Sequence, residues 1–122
     1  MSQVEIIENE FCLQVAANQK LWTIQDEKGI PAPENSEKIR SMPFWSSHEL
    51  AQAYISNASG YQAFQPLEID WAVFAEKWAQ GIHHDGLCVG LNWLAEQETN
   101  VDIEVAELVE KIKAAIKAKD AS

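Results

Sequence analysis

Four side chains able to bind a transition metal or move a proton stand close together in the chain: His83, His84, Asp85 and Cys88. Imidazole, carboxylate and thiolate are the ligand types of zinc and its neighbours. A thiol near an imidazole is also the pair that cysteine nucleophiles use. The spacing matches no known metal motif, however, and adjacent histidines at a helix-to-strand connection diverge. The ordinary alternative is a set of exposed connection residues beside a core thiol. Nothing in the sequence lowers the pKa of Cys88, which strand alternation turns away from Leu87 and Val89. His48-Glu49 has the start of a zinc-protease helix, but Gln52 stands where the second histidine is required. There is no Walker loop, no Gly-x-Gly-x-x-Gly and no paired zinc-knuckle cysteines, and no cofactor is expected.

A second set combines aromatic rings with an amide. Trp22, Phe44, Trp45, Asn92 and Trp93 all fall on or beside predicted strands. If those strands adjoin, the set lines one concave patch suited to holding a partner. The alternative is that the tryptophans are core and Asn92 ties down a loop. Ser46 reads as a helix cap.

These residues need elements to position them. In the stretch Asp85–Trp93, the residues Leu87, Val89, Leu91 and Trp93 recur at every second position, so an extended chain puts them on one face. Cys88, Gly90 and Asn92 then take the other face, which the rest of the chain can approach closely. Upstream, Val4, Ile7, Phe11 and Val15 predict a helix over 3–18, with Ser2 and Glu5 at capping-box spacing. Leu21–Ile24 predicts a strand closed by the turn residues 26–29. Residues 30–38 read as a loop. Ile39, Met42 and Phe44 predict a strand that Pro43 confines to an edge or ends. Ser46 and Glu49 start the next helix, which stops between Asn57 and Gly60. Tyr61–Ile69 reads as a strand.

Asp70 is placed to cap a helix, with Ile69 and Phe74 as its hydrophobic staple and Gly81 as its stop. After a polar connection over 96–100, the positions Val101, Val105, Leu108, Val109, Ile112 and Ile116 predict a last helix. Its acids lie near the start and its lysines near the end, as the helix dipole favours. The expected fold is α+β: a small mixed four-stranded sheet with interleaved helices, a single layer of them on the heavily apolar sheet face. Two strand-helix-strand passages offer parallel pairs by right-handed crossover.

The 122 residues fit one domain over 1–122. The net charge of -10 disfavours nucleic acid and anionic membranes, and leaves a basic protein partner open. Two cysteines make no disulfide framework, and no leader or membrane-length apolar run is present, so a cytoplasmic location is expected.

Trp22, then Met42-Pro43-Phe44-Trp45-Ser46, then Asp85-Gly86 leading into Val89-Gly90-Leu91-Asn92-Trp93, then an amphipathic C-terminal helix: together these resemble the bacterial domain-of-unknown-function family 2750, over about residues 10–118. The resemblance implies a mixed α and β fold. The family carries no assigned activity, so no catalytic residue is carried over.

Two readings of function follow. The first is a non-enzymatic protein-binding or regulatory module that uses the patch around Trp45 and Asn92, or an acidic face. The alternative is a small enzyme or ligand- or metal-binding protein using His83, His84, Asp85 and Cys88. The chain is expected to be a monomer, or a homodimer built on the apolar face of one helix.

Overall fold

The computed structural model describes residues 3–34, 38–95 and 101–120. Helix α1 (Gln3–Asn18) leads into strand β1 (Lys20–Gln25), and β2 (Ser41–Phe44) is followed by α2 (His48–Asn57). Strand β3 (Gln65–Asp70) runs straight into α3 (residues 71–84), β4 (Cys88–Leu91) follows, and β5 (Val101–Glu104) runs straight into α4 (Val105–Asp120). The architecture is α+β, as the alternation of periods implies. Its strands differ from the expected single sheet of four. They form an antiparallel pair, β1–β3, and a three-stranded sheet in the order β2–β4–β5. No described helix is long and apolar enough to cross a membrane.

Pro43 explains the division. Cys88 N–H donates to Arg40 O and Asn92 N–H to Phe44 O, both at 2.9 Å. Even-numbered residues of β2 thus turn their carbonyls to β4, and odd-numbered ones face β1. On that side Trp22 and Trp45 exchange two main-chain bonds, at 2.8 and 2.7 Å. The next such pair would join Ile24 to Pro43, which has no N–H. Pairing stops there, and Thr23 Oγ1 donates to Pro43 O at 2.8 Å instead. β2 is therefore an edge strand of its sheet, as its proline predicts.

The fifth strand comes from residues that also fit a helix. Val101 and Val105 are four apart, but Val101, Ile103 and Val105 are buried while Asp102 is half-buried and Glu104 exposed. That alternation belongs to a strand paired with β4. The last helix starts at Val105, four residues later than its spacing alone suggests. Among the described residues one parallel pair forms, β2 with β4. β3 pairs antiparallel with β1, so the crossover from β2 to β4 carries α2, β3 and α3.

Helices cover both sides, where a single layer was expected. Phe11, Phe44, Phe74, Val89, Leu91, Ile103, Leu108 and Ile112 share one core, under α1, α3 and α4. Ile24, Trp45, Ala51, Ile55 and Trp93 form a second core under α2. Phe44 and Trp45 are consecutive in extended chain, so they enter opposite cores.

Several ends differ from their predicted signals. Ser47, rather than Ser46, caps α2, its hydroxyl accepting from Leu50 N–H at 3.2 Å. Asp70 holds the cap position of α3 without a side-chain cap bond. Ile69 and Phe74 are both buried in the first core, as a staple requires. Gly81 lies inside α3, which contains a π-type turn over Phe74–Trp78. Its stop is Gly86, at φ +71°. Gly86 N–H donates to His83 O and Leu87 N–H to Ile82 O, the pattern of a Schellman end. The strand expected over Tyr61–Ile69 begins only at Gln65. Ser2, and with it the first capping box, lies outside the described residues, as does the 96–100 connection.

Candidate functional site

The carboxyl ends of the parallel strands β2 and β4 meet at one polar node. Strand alternation should carry Trp93 to the Val89 and Leu91 face. It does not, because Asn92 takes a left-handed conformation, φ +49°, which asparagine tolerates better than most residues. The chain turns there, and the Trp93 indole folds back over Gly90. A Cβ on Gly90 would stand 2.3 Å from Trp93 Cε2, so glycine is what allows this close approach.

Both indoles are then tied down. Trp45 Nε1 donates to Trp93 O at 2.9 Å. Trp93 Nε1 lies 3.3 Å from Val101 O and 3.2 Å from Asp102 Oδ1. Asn92 Oδ1 accepts from Ser46 N–H at 2.8 Å, and Asn92 Nδ2 donates to Ser46 Oγ at 3.1 Å. Ser46 Oγ in turn donates to Gln14 Oε1 of α1. This chain of bonds joins α1, the β2–α2 junction and the end of β4. The hydroxyl's partners are carboxamides, which cannot act as its base, so the arrangement holds the backbone and does not activate a nucleophile.

The five residues expected to line one patch therefore separate. Trp45 is fully buried, Trp93 is buried and Asn92 half-buried. Phe44 is fully buried in the opposite core, edge-on to Phe74 at 5.1 Å. Trp22 is half-buried against the second core. They brace the fold rather than form a surface patch, because each ring has a core to enter and each indole N–H described above a main-chain acceptor.

The second core does reach the surface, through Tyr54 of α2 and through Tyr61 and Phe64, which lie in the stretch expected to be a strand. The Tyr54 ring lies tilted to Trp45 and edge-on to Tyr61, both at 5.2 Å, and Tyr61 lies 5.1 Å from Phe64. Tyr54, Tyr61 and Phe64 are half-buried. Burial, with Tyr61 adding to it, pushes the Tyr54 phenol up to about 12. Residues 63 and 65, which flank Phe64 in the chain, line an open cleft of about 590 Å³ together with Gln25, Asp26 and Glu27. Its floor is the open end of the β1–β3 ribbon, where Gln25 pairs with Gln65. The tight turn 26–29 holds Asp26 in place. Asp26 and Gly29 exchange main-chain bonds, and Asp26 Oδ1 accepts from Lys28 N–H at 2.9 Å. The signal for this cleft was present only as a turn between two β-prone runs. Nothing local says that residues 63–65 lie across from it.

His83 and His84 are exposed on the last turn of α3, and Asp85 is exposed just beyond it. Cys88 is half-buried in β4, its thiol pushed up by burial and then by the charges of Asp102 and Glu104. Among the described residues, no three His, Cys, Asp or Glu side chains are grouped as a metal ion requires. The Schellman end separates the imidazoles from the thiol: it closes the helix, and β4 then carries Cys88 inward.

Among curated proteins, none matches this chain. A solved structure of Anabaena Tic22, described with protein transport, is similar at a TM-score of 0.39 and 17% identity, over 73% of this chain and 45% of that one. This chain thus spans less than half the length of that protein. The Pro43–Ser46 and Gly90–Trp93 segments, whose contacts build the node, both fall within residues 8–112, which match the family model DUF2750, "Protein of unknown function". The chain belongs to that family.

Proposed function

We propose that this chain is a non-enzymatic binding module for a basic protein partner, acting in the cytoplasm through the cleft between Asp26–Glu27 and Ala63–Gln65. The observation that carries this reading is the pair of acids, Asp26 and Glu27, in the lining of an open cleft. Carboxylates beside carboxamides suit a lysine or arginine side chain, whose charge meets the acids while the amide oxygens accept its N–H groups. The chain's charge of -10 speeds the encounter with such a partner. The 63–65 side of the cleft is anchored through Phe64, which leans on Tyr61, as Tyr61 does on Tyr54 and Tyr54 on the fully buried Trp45.

The test is calorimetric titration with an arginine-rich peptide and with an acidic peptide of equal length. The basic peptide binds, and its affinity falls as salt is raised. Reversing both charges, Asp26→Lys with Glu27→Lys, removes that binding, while the same reversal at Glu49 and Glu76, which do not line the cleft, leaves most of it. Equal losses from the two pairs would mean that net charge alone is being read, and the cleft reading would fail.

A further inference from the structure

A different face of the molecule carries an apolar seam. Helices α1 and α4 run side by side in the same direction. Glu8 pairs with Lys111 at 3.7 Å, and Lys119 Nζ reaches Ala16 O at 3.5 Å, so eight residues of one helix keep step with eight of the other. Between them lies a groove of about 370 Å³, lined by Asn9, Cys12, Leu13, Lys111, Ala114 and Ala115. Helix α1 is apolar on two sides. Phe11, Cys12 and Val15 enter the core, while Leu13 is 62% exposed and Ile6 43% exposed, seven residues apart on the outward side. On α4 the neighbouring outward positions are the small residues Ala114 and Ala118.

Charge selects the occupant. Residues 3–18 contain acids and no lysine or arginine, whereas residues 111–119 contain four lysines and no acid. A partner helix laid along this face must answer an acidic helix beside a basic one. A copy of the same pair, turned by a two-fold axis parallel to the helices, does so: α1 of each copy lies parallel on α4 of the other. Two α1 helices laid on one another would instead bring acid against acid.

We infer that the α1–α4 face is a homodimer interface, with Leu13 of each copy packed over Ala114 and Ala118 of the other and Glu10 level with Lys113. Each contact occurs twice, so a single substitution acts twice. This face is separate from the cleft bearing Asp26 and Glu27, and the two readings stand or fall independently.

Sedimentation velocity over a rising series of protein concentrations tests it. Wild-type protein shifts from monomer to dimer. Leu13→Glu, at an exposed position that leaves the core untouched, weakens dimerisation by roughly a hundredfold or more, since two leucines lose their burial. Glu10→Lys and Lys113→Glu each weaken it, and the two together restore it. A wild-type protein that remains monomeric at the highest concentration overturns the inference and leaves the groove to another occupant. So does a Leu13→Glu variant that dimerises as wild type does.

Discussion

Substituting Gly90 by alanine should unseat Trp93. The new Cβ would lie 2.3 Å from Cε2, 2.4 Å from Nε1 and 2.6 Å from Cζ2 of the indole. Carbon atoms pack at about 3.5–4.0 Å, so the ring must retreat by more than about 1 Å. It has little freedom to do so. Its Nε1 is bonded toward Val101 O and Asp102 Oδ1, its carbonyl holds Trp45, and its faces lie in the second core. A small shift weakens the Nε1 bonds, at about 1 kcal/mol, and overpacking adds about 1–3 kcal/mol. Replacing glycine in a strand gives back about 0.5–1 kcal/mol. The net expected loss is about 2–3 kcal/mol, read as a lower urea midpoint at an unchanged slope.

A double-mutant cycle isolates the cause. Trp93→Leu deletes all three contacting atoms and keeps an apolar side chain. In that background Gly90→Ala should be neutral or slightly stabilising, which makes the coupling energy about 2–3 kcal/mol. If instead the two substitutions add to within about 0.5 kcal/mol, the indole does not lie on Gly90 and the account of the node is wrong.

Two further outcomes follow from the same geometry. Asn92→Ala loses both the bonds to Ser46 and an asparagine's tolerance of φ +49°, and should cost about 3 kcal/mol; Asn92→Gly keeps the backbone and should cost about 1–2 kcal/mol less. Equal urea midpoints for the two variants would show that the left-handed turn contributes nothing. Burial pushes the Cys12 thiol up from 9.0 to about 11, with Lys111 partly opposing it. A raised folded-state value means that the unfolded chain loses this proton first, so stability is whole below pH 9.0 and falls as pH rises toward about 11, by on the order of 2 kcal/mol. Urea melts across that window check it: Cys12→Ala should flatten this part of the decline, and an unchanged decline would refute the assignment to Cys12.

Much of the fold is local chemistry and was legible as such. The period of Phe11, Val15 and their neighbours predicts α1 to its observed ends. Ile69 and Phe74 announce the start of α3, and Pro43, lacking a donor, announces an edge. The missing donor also sets where the chain's strands divide into two sheets, although only the structure shows that β1 is the neighbour it fails to pair with. The candidate site was legible in its parts but not in its assembly. Asn92 and Ser46 were visible as polar residues beside strands, yet that each satisfies the other depends on a parallel pairing across 46 positions of chain. The acidic turn at Asp26 was visible, and the Ala63–Gln65 side of the cleft was not, because Tyr61 and Phe64 fit a strand as well as they fit the turn they make.

By itself the sequence determined where most of the helical chain lies, which residues are apolar and where donors are missing, because those properties belong to a residue and its near neighbours. The tertiary structure decided which core each ring enters. Trp93 changes sides through one left-handed residue, Phe44 and Trp45 part because helices cover both faces, and Val101 is strand because β4 offers it a ladder. Each of these choices is made by a partner distant in sequence, whose burial and hydrogen bonds outweigh the local preference.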